Sequence, residues 1–115
     1  MYNIIQKGAN MKIQLKKGLL DNCILAALIE GDSYGYKLIQ DTKDIVEMAE
    51  STLYPILRRL EDNKCLTSYK DEYNGRLRKY YRITPQGHKQ LESFLQEWKD
   101  MNRIYQFIKE RAKYE

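Results

Sequence analysis

The sequence predicts a mainly α fold with a small β-hairpin, a winged helix-turn-helix continued by one long C-terminal dimerisation helix. Three observations predict it. Three helix-like segments come first, a strand, Asn-Gly and strand pattern follows, and an unbroken heptad pattern closes the chain. The 115 residues suffice for one core and not for two domains with a catalytic cleft between them. Hydrophobic residues at 43% and charged residues at 31% exclude wholesale disorder.

Met1 to Asn10 have no clear period, and residues 1–11 read as a flexible N-terminal extension. Lys12, Lys16 and Lys17 then read as a solvated helix end. Leu15 to Glu30 reads as the first helix, with Leu20, Cys23, Ile24, Ala27 and Leu28 at i, i+3, i+4, i+7 and i+8. Leu25, Ala26 and Ile29 are apolar too, so this helix is expected to bury more than one face, one of them against a second chain.

Gly31-Asp32-Ser33 stops that helix, and Ser33 is the expected N-cap of a short helix from Tyr34 to about Lys43. Gly35 in its first turn suggests close approach of another helix. The third helix begins at Ser51 or Thr52 and runs to about Asn63, with Pro55 expected in its first turn. Leu53, Ile56, Leu57 and Leu60 face the core, and Thr52, Pro55, Arg58 and Arg59 lie on the other side.

Cys65 to Lys70 and Leu77 to Thr84 read as strands around Asp71 to Arg76, where Asn74-Gly75 marks a tight turn. Thr84 and Pro85 open the last helix as N-cap and first residue. Leu91, Phe94, Trp98, Met101, Tyr105, Ile108 and Ala112 are then spaced three and four apart, a coiled-coil seam. A helix from Pro85 to Tyr114 would be about 45 Å long and would overhang a small globule. Its stripe needs a partner, so Leu91, Phe94, Trp98, Met101, Tyr105 and Ile108 are the expected homodimer interface.

Charge points to nucleic acid. Lys and Arg number 20 against 16 Asp and Glu, a net +4, but the distribution is uneven. Arg76, Arg78, Lys79, Arg82 and Lys89 follow one another with no acid between them. Ten tyrosines supply flat apolar bodies with hydroxyls, suited to sugar and phosphate contacts. A third helix with a polar, basic N-terminal half fits the major groove of duplex DNA, and a basic hairpin fits the neighbouring backbone or minor groove. The expected DNA-contacting residues are Tyr34, Ser51, Thr52, Tyr54, Arg58 and Arg59, with Arg76, Arg78 and Lys79 of the wing. Residues 12–84 are thus expected to form the DNA-binding domain and 85–115 the dimerisation helix.

The remaining chemistry is sparse. His88 is the only histidine and is expected to be exposed. Cys23 and Cys65 form no C-x-x-C and, with one histidine, complete no zinc site, so they are expected as reduced buried thiols. No metal, cofactor or catalytic residue is expected: a Cys65–His88 pair would lack both an orienting acid and an oxyanion element. The longest apolar run, Cys23 to Ile29, is far short of the ~20 residues of a membrane-spanning helix. No secretion-signal pattern opens the chain, so a cytoplasmic location is expected. Trp98, the single tryptophan, lies mid-seam. Its mate across a two-fold axis would leave a gap for a small planar aromatic or cationic effector, with Leu95 and Met101 nearby and Asn22 as a polar contact.

These residues also resemble a known family. Ser51-Thr52 with Leu53-Tyr-Pro-Ile-Leu-Arg-Arg-Leu-Glu61 looks like the third-helix signature of PadR-type transcriptional regulators. Gly31-Asp-Ser-Tyr-Gly-Tyr36 is similar to that family's second-helix entrance, Gly75-Arg-Leu-Arg-Lys-Tyr-Tyr-Arg-Ile-Thr84 to its wing, and Thr84-Pro-Gln-Gly87 to the start of its last helix. A single terminal helix bearing Trp98 resembles the family's short, LmrR-like branch. The resemblance implies a dimeric DNA-binding repressor, often released by a small molecule; two third helices related by a two-fold axis are expected to read an inverted-repeat operator. The rival reading is a winged-helix protein-interaction module without sequence-specific DNA binding.

Overall fold

Helices α1 (Ile13–Ala27), α2 (Gly35–Thr42) and α3 (Glu50–Asp62) precede strands β1 (Leu66–Tyr73) and β2 (Arg76–Ile83), and helix α4 (Pro85–Ala112) ends the chain. The computed structural model describes residues 13–113, with side chains from Gly18 onward. The expected extension at 1–11 and the side chains of Lys12, Lys16 and Lys17 lie outside the described residues.

The three-and-four spacing of α1 and α3 produces the core. Leu20, Ile24 and Leu25 of α1, with Leu28 just past its end, meet Leu53, Ile56, Leu57 and Leu60 of α3, all buried. Leu38 of α2, and Leu66 and Tyr81 of the hairpin, close this cluster. Each fully buried leucine or isoleucine contributes roughly 1.5–3 kcal/mol.

Two helix starts differ from the sequence reading. Ser33 is not an N-cap: Tyr34 holds that position without a side-chain bond, because Ser33 is taken by the sheet. Its backbone pairs with Tyr81, N–H to O at 3.1 Å and O from N–H at 2.7 Å, and adds a short third rung to the hairpin. Helix α3 starts at Glu50 with Ala49 as N-cap, so neither Ser51 nor Thr52 caps it. Pro55 consequently sits in the second turn. It donates no bond to the Ser51 carbonyl, which lies on the exposed side, where water can take its place.

Helix α3 ends in a Schellman turn. The Cys65 N–H donates to the Leu60 carbonyl at 2.9 Å and the Lys64 N–H to Glu61 at 3.0 Å, with Lys64 left-handed at φ 66°. The same corner holds the start of α4. The Thr84 hydroxyl accepts from the Gly87 N–H at 3.0 Å, as expected of its cap, and donates to the Lys64 carbonyl at 2.6 Å.

The strands run antiparallel from Leu66 opposite Ile83 to Tyr73 opposite Arg76, so the hairpin is longer than the sequence suggested. Only Asn74 and Gly75 form the loop, with φ of 51° and 77°, a two-residue turn. Asp71 to Tyr73 and Arg76 therefore belong to strands. Helix α4 packs its first turns on α1 and then leaves the globule. Its 28 residues span about 42 Å. No helix among the described residues is long and apolar enough to cross a membrane.

Candidate nucleic-acid interface

Helix α3 turns one face to the core, and the opposite face carries Ser51, Thr52, Tyr54 and Arg58, all exposed. Arg58 makes no hydrogen bond or ion pair among the described residues. Tyr54 is held by a close approach that only a glycine permits. A Cβ on Gly35 would lie 2.4 Å from the Tyr54 hydroxyl oxygen and 3.0 Å from its ring. The entrance of α2 and the second turn of α3 are thereby locked together.

The wing reaches the same place. Tyr34, Gly35, Tyr36, Tyr54, Arg76, Arg78, Lys79 and Tyr81 line one open basin of about 500 Å³ between the α2 entrance, α3 and β2. Five of the nine expected DNA-contacting residues, Tyr34, Tyr54, Arg76, Arg78 and Lys79, thus share one concavity without an acid in its lining. Ser51, Thr52 and Arg58 lie outside the lining, on the exposed face of α3.

Arg59 is placed elsewhere, which corrects its grouping with Arg58. Its guanidinium forms two hydrogen bonds with Asp21 of α1, at 3.0 Å from Nε and 2.5 Å from Nη2. Asp21 holds the Arg59 guanidinium even more firmly protonated than usual. One residue along a helix is a turn of 100°, enough to carry Arg59 from the Arg58 face to the α1 face.

Sequence reasoning missed the residues that hold the wing. Asp32 accepts from Arg82 through Nε at 3.1 Å and Nη2 at 2.8 Å, and from the Tyr69 hydroxyl at 2.6 Å. These bonds, with the Arg82 guanidinium first among them, hold the Asp32 carboxyl below the usual aspartate range. Tyr69 stacks on Tyr80 with centroids 5.7 Å apart, and Tyr80 meets the Tyr34 ring edge-on at 5.5 Å. Arg82 is thus an anchor within the basic run, a role that its place among four other cations concealed. The visible signal was period two: Arg76, Arg78, Tyr80 and Arg82 alternate on β2 and so share a face.

A second concavity lies on the other side. An apolar groove of about 440 Å³ runs between α1, the α2–α3 link and α4, with Leu19, Cys23, Ile29, Ile45, Phe94 and Leu95 among its lining residues. Asn22 and His88 line it as well; His88 is exposed, as expected. Asn22 donates to the Gly18 carbonyl at 2.8 Å, and its Oδ1 is buried without a partner among the described residues. Of the four residues expected around an effector, Asn22 and Leu95 are therefore together. Trp98 and Met101 stand further along α4, outside the lining. Trp98 is 38% exposed and stacks on Phe94 with centroids 6.1 Å apart.

The seam residues divide between core and surface. Leu91, the first of the expected interface residues, joins the chain's own core and also lines the apolar groove. Phe94 is half-buried, and Trp98, Met101, Tyr105 and Ile108 are exposed, with Leu95, Ile104 and Phe107 widening the stripe. Cys65 is buried as expected, but Cys23 is only half-buried, because it lines the groove; burial raises both thiols above their ordinary values. No group of three or more His, Cys, Asp or Glu among the described residues is arranged to hold a metal ion.

Comparison with known proteins decides the family. The profile of the PadR-like transcriptional regulator family matches residues 24–93, from the last turn of α1 into α4. The chain belongs to the PadR-like family of transcriptional regulators. Solved members superpose well. A PadR-like transcription factor of Bacteroides fragilis is 35% identical with a TM-score of 0.76, over 86% of this chain and 98% of its own. A PadR-family regulator of Eggerthella lenta is 31% identical with a TM-score of 0.76, over 89% and 91%. A transcriptional regulator of Clostridium thermocellum is 37% identical with a TM-score of 0.71, over 81% and 95%. The PadR-like family is one of regulators rather than enzymes, and its members bind DNA and typically dimerise. The hairpin of this PadR-like chain is its wing, and the exposed face of α3 is the candidate reading surface.

Proposed function

We propose that the protein is a homodimeric, sequence-specific repressor that reads an inverted-repeat operator through α3 and responds to a small effector. One observation carries the DNA-binding part: Tyr54 of α3 and the wing cations Arg76, Arg78 and Lys79 line one acid-free basin at the α2 entrance. Thr52, Tyr54 and Arg58 face the base edges in this reading, and Arg76, Arg78 and Lys79 face the backbone. The division of labour is testable with a fluorescent duplex at several salt concentrations. Removing Arg76 or Lys79 should weaken all sequences alike and lower the salt slope by about one per lost phosphate contact. Changing Thr52 or Arg58 should change the order of preference among sequences. Equal effects on preference from both groups would refute the division.

The dimer is supported by the exposed stripe from Trp98 to Ile108, which nothing among the described residues covers. A two-fold pair of α3 helices would read half-sites separated by about 10–10.5 bp or a multiple. The effector reading is supported by the apolar groove beside Asn22 and Leu95 and by the Phe94–Trp98 stack that continues from it. A planar aromatic or cationic molecule would stack on Trp98, with Met101 one turn further along, and shift the two reading helices through its unequal affinity for two arrangements.

A further inference from the structure

Asn22 is the buried polar residue of the groove between α1, the α2–α3 link and α4. Leu19 and Ala26 lie one turn to either side of it and line the same groove, so it stands where the helix period calls for an apolar side chain. Its amide has one orientation. Nδ2 donates to the Gly18 carbonyl at 2.8 Å, and a flipped amide would set two oxygens against each other. Oδ1 is the end left over, buried and without a hydrogen-bond partner among the described residues. An unmet acceptor is costly to the folded chain, so a donor that reaches it is favoured.

The rest of the lining defines that donor. No lysine or arginine lines the groove, and its one carboxylate is that of Glu92. An anion therefore finds no fixed cation there, whereas Oδ1 and Glu92 both accept, which suits an N–H donor carrying a positive charge. Ile29, Ile45 and Leu95, each more than half exposed, offer apolar surface to the remainder of the molecule. The volume of about 440 Å³ is that of a small-molecule site.

We propose that the groove of each protomer seats a primary amine with an apolar body. The ammonium donates to Asn22 Oδ1 in the field of the Glu92 carboxylate, and the body covers Ile29, Ile45 and Leu95. Asn22 itself lines the groove, so the amine reaches Oδ1 by displacing side chains alone. Trp98 and Met101 lie outside this lining, so the seat is complete within one chain and separate from the stack proposed at Trp98. The link that carries Ile45 and Val46 ends at Ala49, the N-cap of α3, so a ligand pressing on it acts on the start of the candidate reading helix. This assignment names the ligand class of the effector reading above and rests on that reading for its consequence at DNA.

The test titrates cyclohexylethylamine, which has no planar ring to stack, into the full chain while following isotope-labelled methyl groups of Ile29 and Ile45. Cyclohexylacetate, of similar size and opposite charge, is the comparison. Both methyls should shift saturably with the amine, and the carboxylate should bind about tenfold more weakly or worse. Asn22→Leu removes the unmet acceptor and keeps the volume, so its melting temperature should not fall, while its affinity for the amine should drop about tenfold. Trp98→Ala should keep that affinity within about twofold. Wild-type methyls that ignore the amine, or answer both compounds alike, would overturn the seat without any variant. An unchanged affinity in Asn22→Leu would overturn its anchor. Loss of binding in Trp98→Ala would merge the seat with the Trp98 stack and overturn its independence. Methyls that shift on dilution of the protein and not with the amine would give the groove to a second copy and overturn the amine as occupant. A duplex titration separates the two readings. An amine that fills the groove and leaves DNA affinity unchanged supports the seat and overturns the effector reading. Release of DNA by a planar aromatic compound, with no amine bound in the groove, does the reverse.

Discussion

Arg59 of α3 grips Asp21 of α1 by two hydrogen bonds, and the next residue along α1, Asn22, lines the apolar groove. The candidate reading helix is therefore clamped to the helix that borders the proposed effector site. Arg58, its sequence neighbour, is exposed and uncommitted among the described residues. Two adjacent arginines thus face different surroundings.

Their substitutions should separate cleanly. Asp21 is only 14% exposed and Arg59 33%, so Arg59→Ala strands a mostly buried carboxylate and should cost about 1–3 kcal/mol in chemical denaturation. Arg58→Ala should change stability by less than about 0.5 kcal/mol and weaken DNA binding. The opposite pattern would return Arg59 to the DNA-contacting set.

Gly35→Ala should displace Tyr54. The added methyl would meet the hydroxyl at 2.4 Å, and overpacking of this kind costs about 1–3 kcal/mol. The obstructing atoms belong to a side chain, so Tyr54→Ala should relieve most of the cost in the double variant. Denaturation of the two single variants and the double variant checks this; strictly additive losses would show that α2 and α3 do not meet through that ring.

Asp32 gives a pH signature. Hydrogen bonds from Arg82 and Tyr69 lower its native pKa below the ordinary value of about 3.9. A depressed carboxyl stabilises the fold above its unfolded value and loses that contribution as the pH falls through its native value. The melting-temperature difference between wild type and Asp32→Asn should be constant from about pH 8 to 5 and close below about pH 4. A difference that grows toward acid would mean that Asp32 is not the anchor of the wing.

The stripe on α4 makes two linked predictions. Met101→Lys would place a charge within the seam and should shift the sedimentation of a micromolar sample from dimer to monomer. A wild type that sediments as a monomer would exclude the dimer itself. Planar aromatic cations should quench Trp98 fluorescence saturably in the wild type. If none does, Trp98 is seam packing and the protein takes its signal elsewhere.

Much of the fold was legible because local and tertiary demands agree. The period of Leu53, Ile56, Leu57 and Leu60, the Asn74-Gly75 turn and the Thr84-Pro85 cap each predict the structure that forms. The misses fall where a distant partner overrides a local preference. Ser33 has the chemistry of a cap, but Tyr81, far along the chain, claims its backbone. Arg59 looks like its neighbour Arg58 until α1 supplies Asp21. The same limit hid Asp32, because nothing near it in sequence announces Arg82 and Tyr69.

Selection of bound duplexes from a random DNA pool tests the central claim most directly. The wild-type protein should enrich an inverted repeat with half-sites about one helical turn or a multiple apart. Arg58→Ala should lose the preference at defined positions within each half-site while still binding the pool. A wild-type pool that stays as random as its input would contradict sequence-specific recognition by α3 and favour the protein-interaction reading of this winged helix.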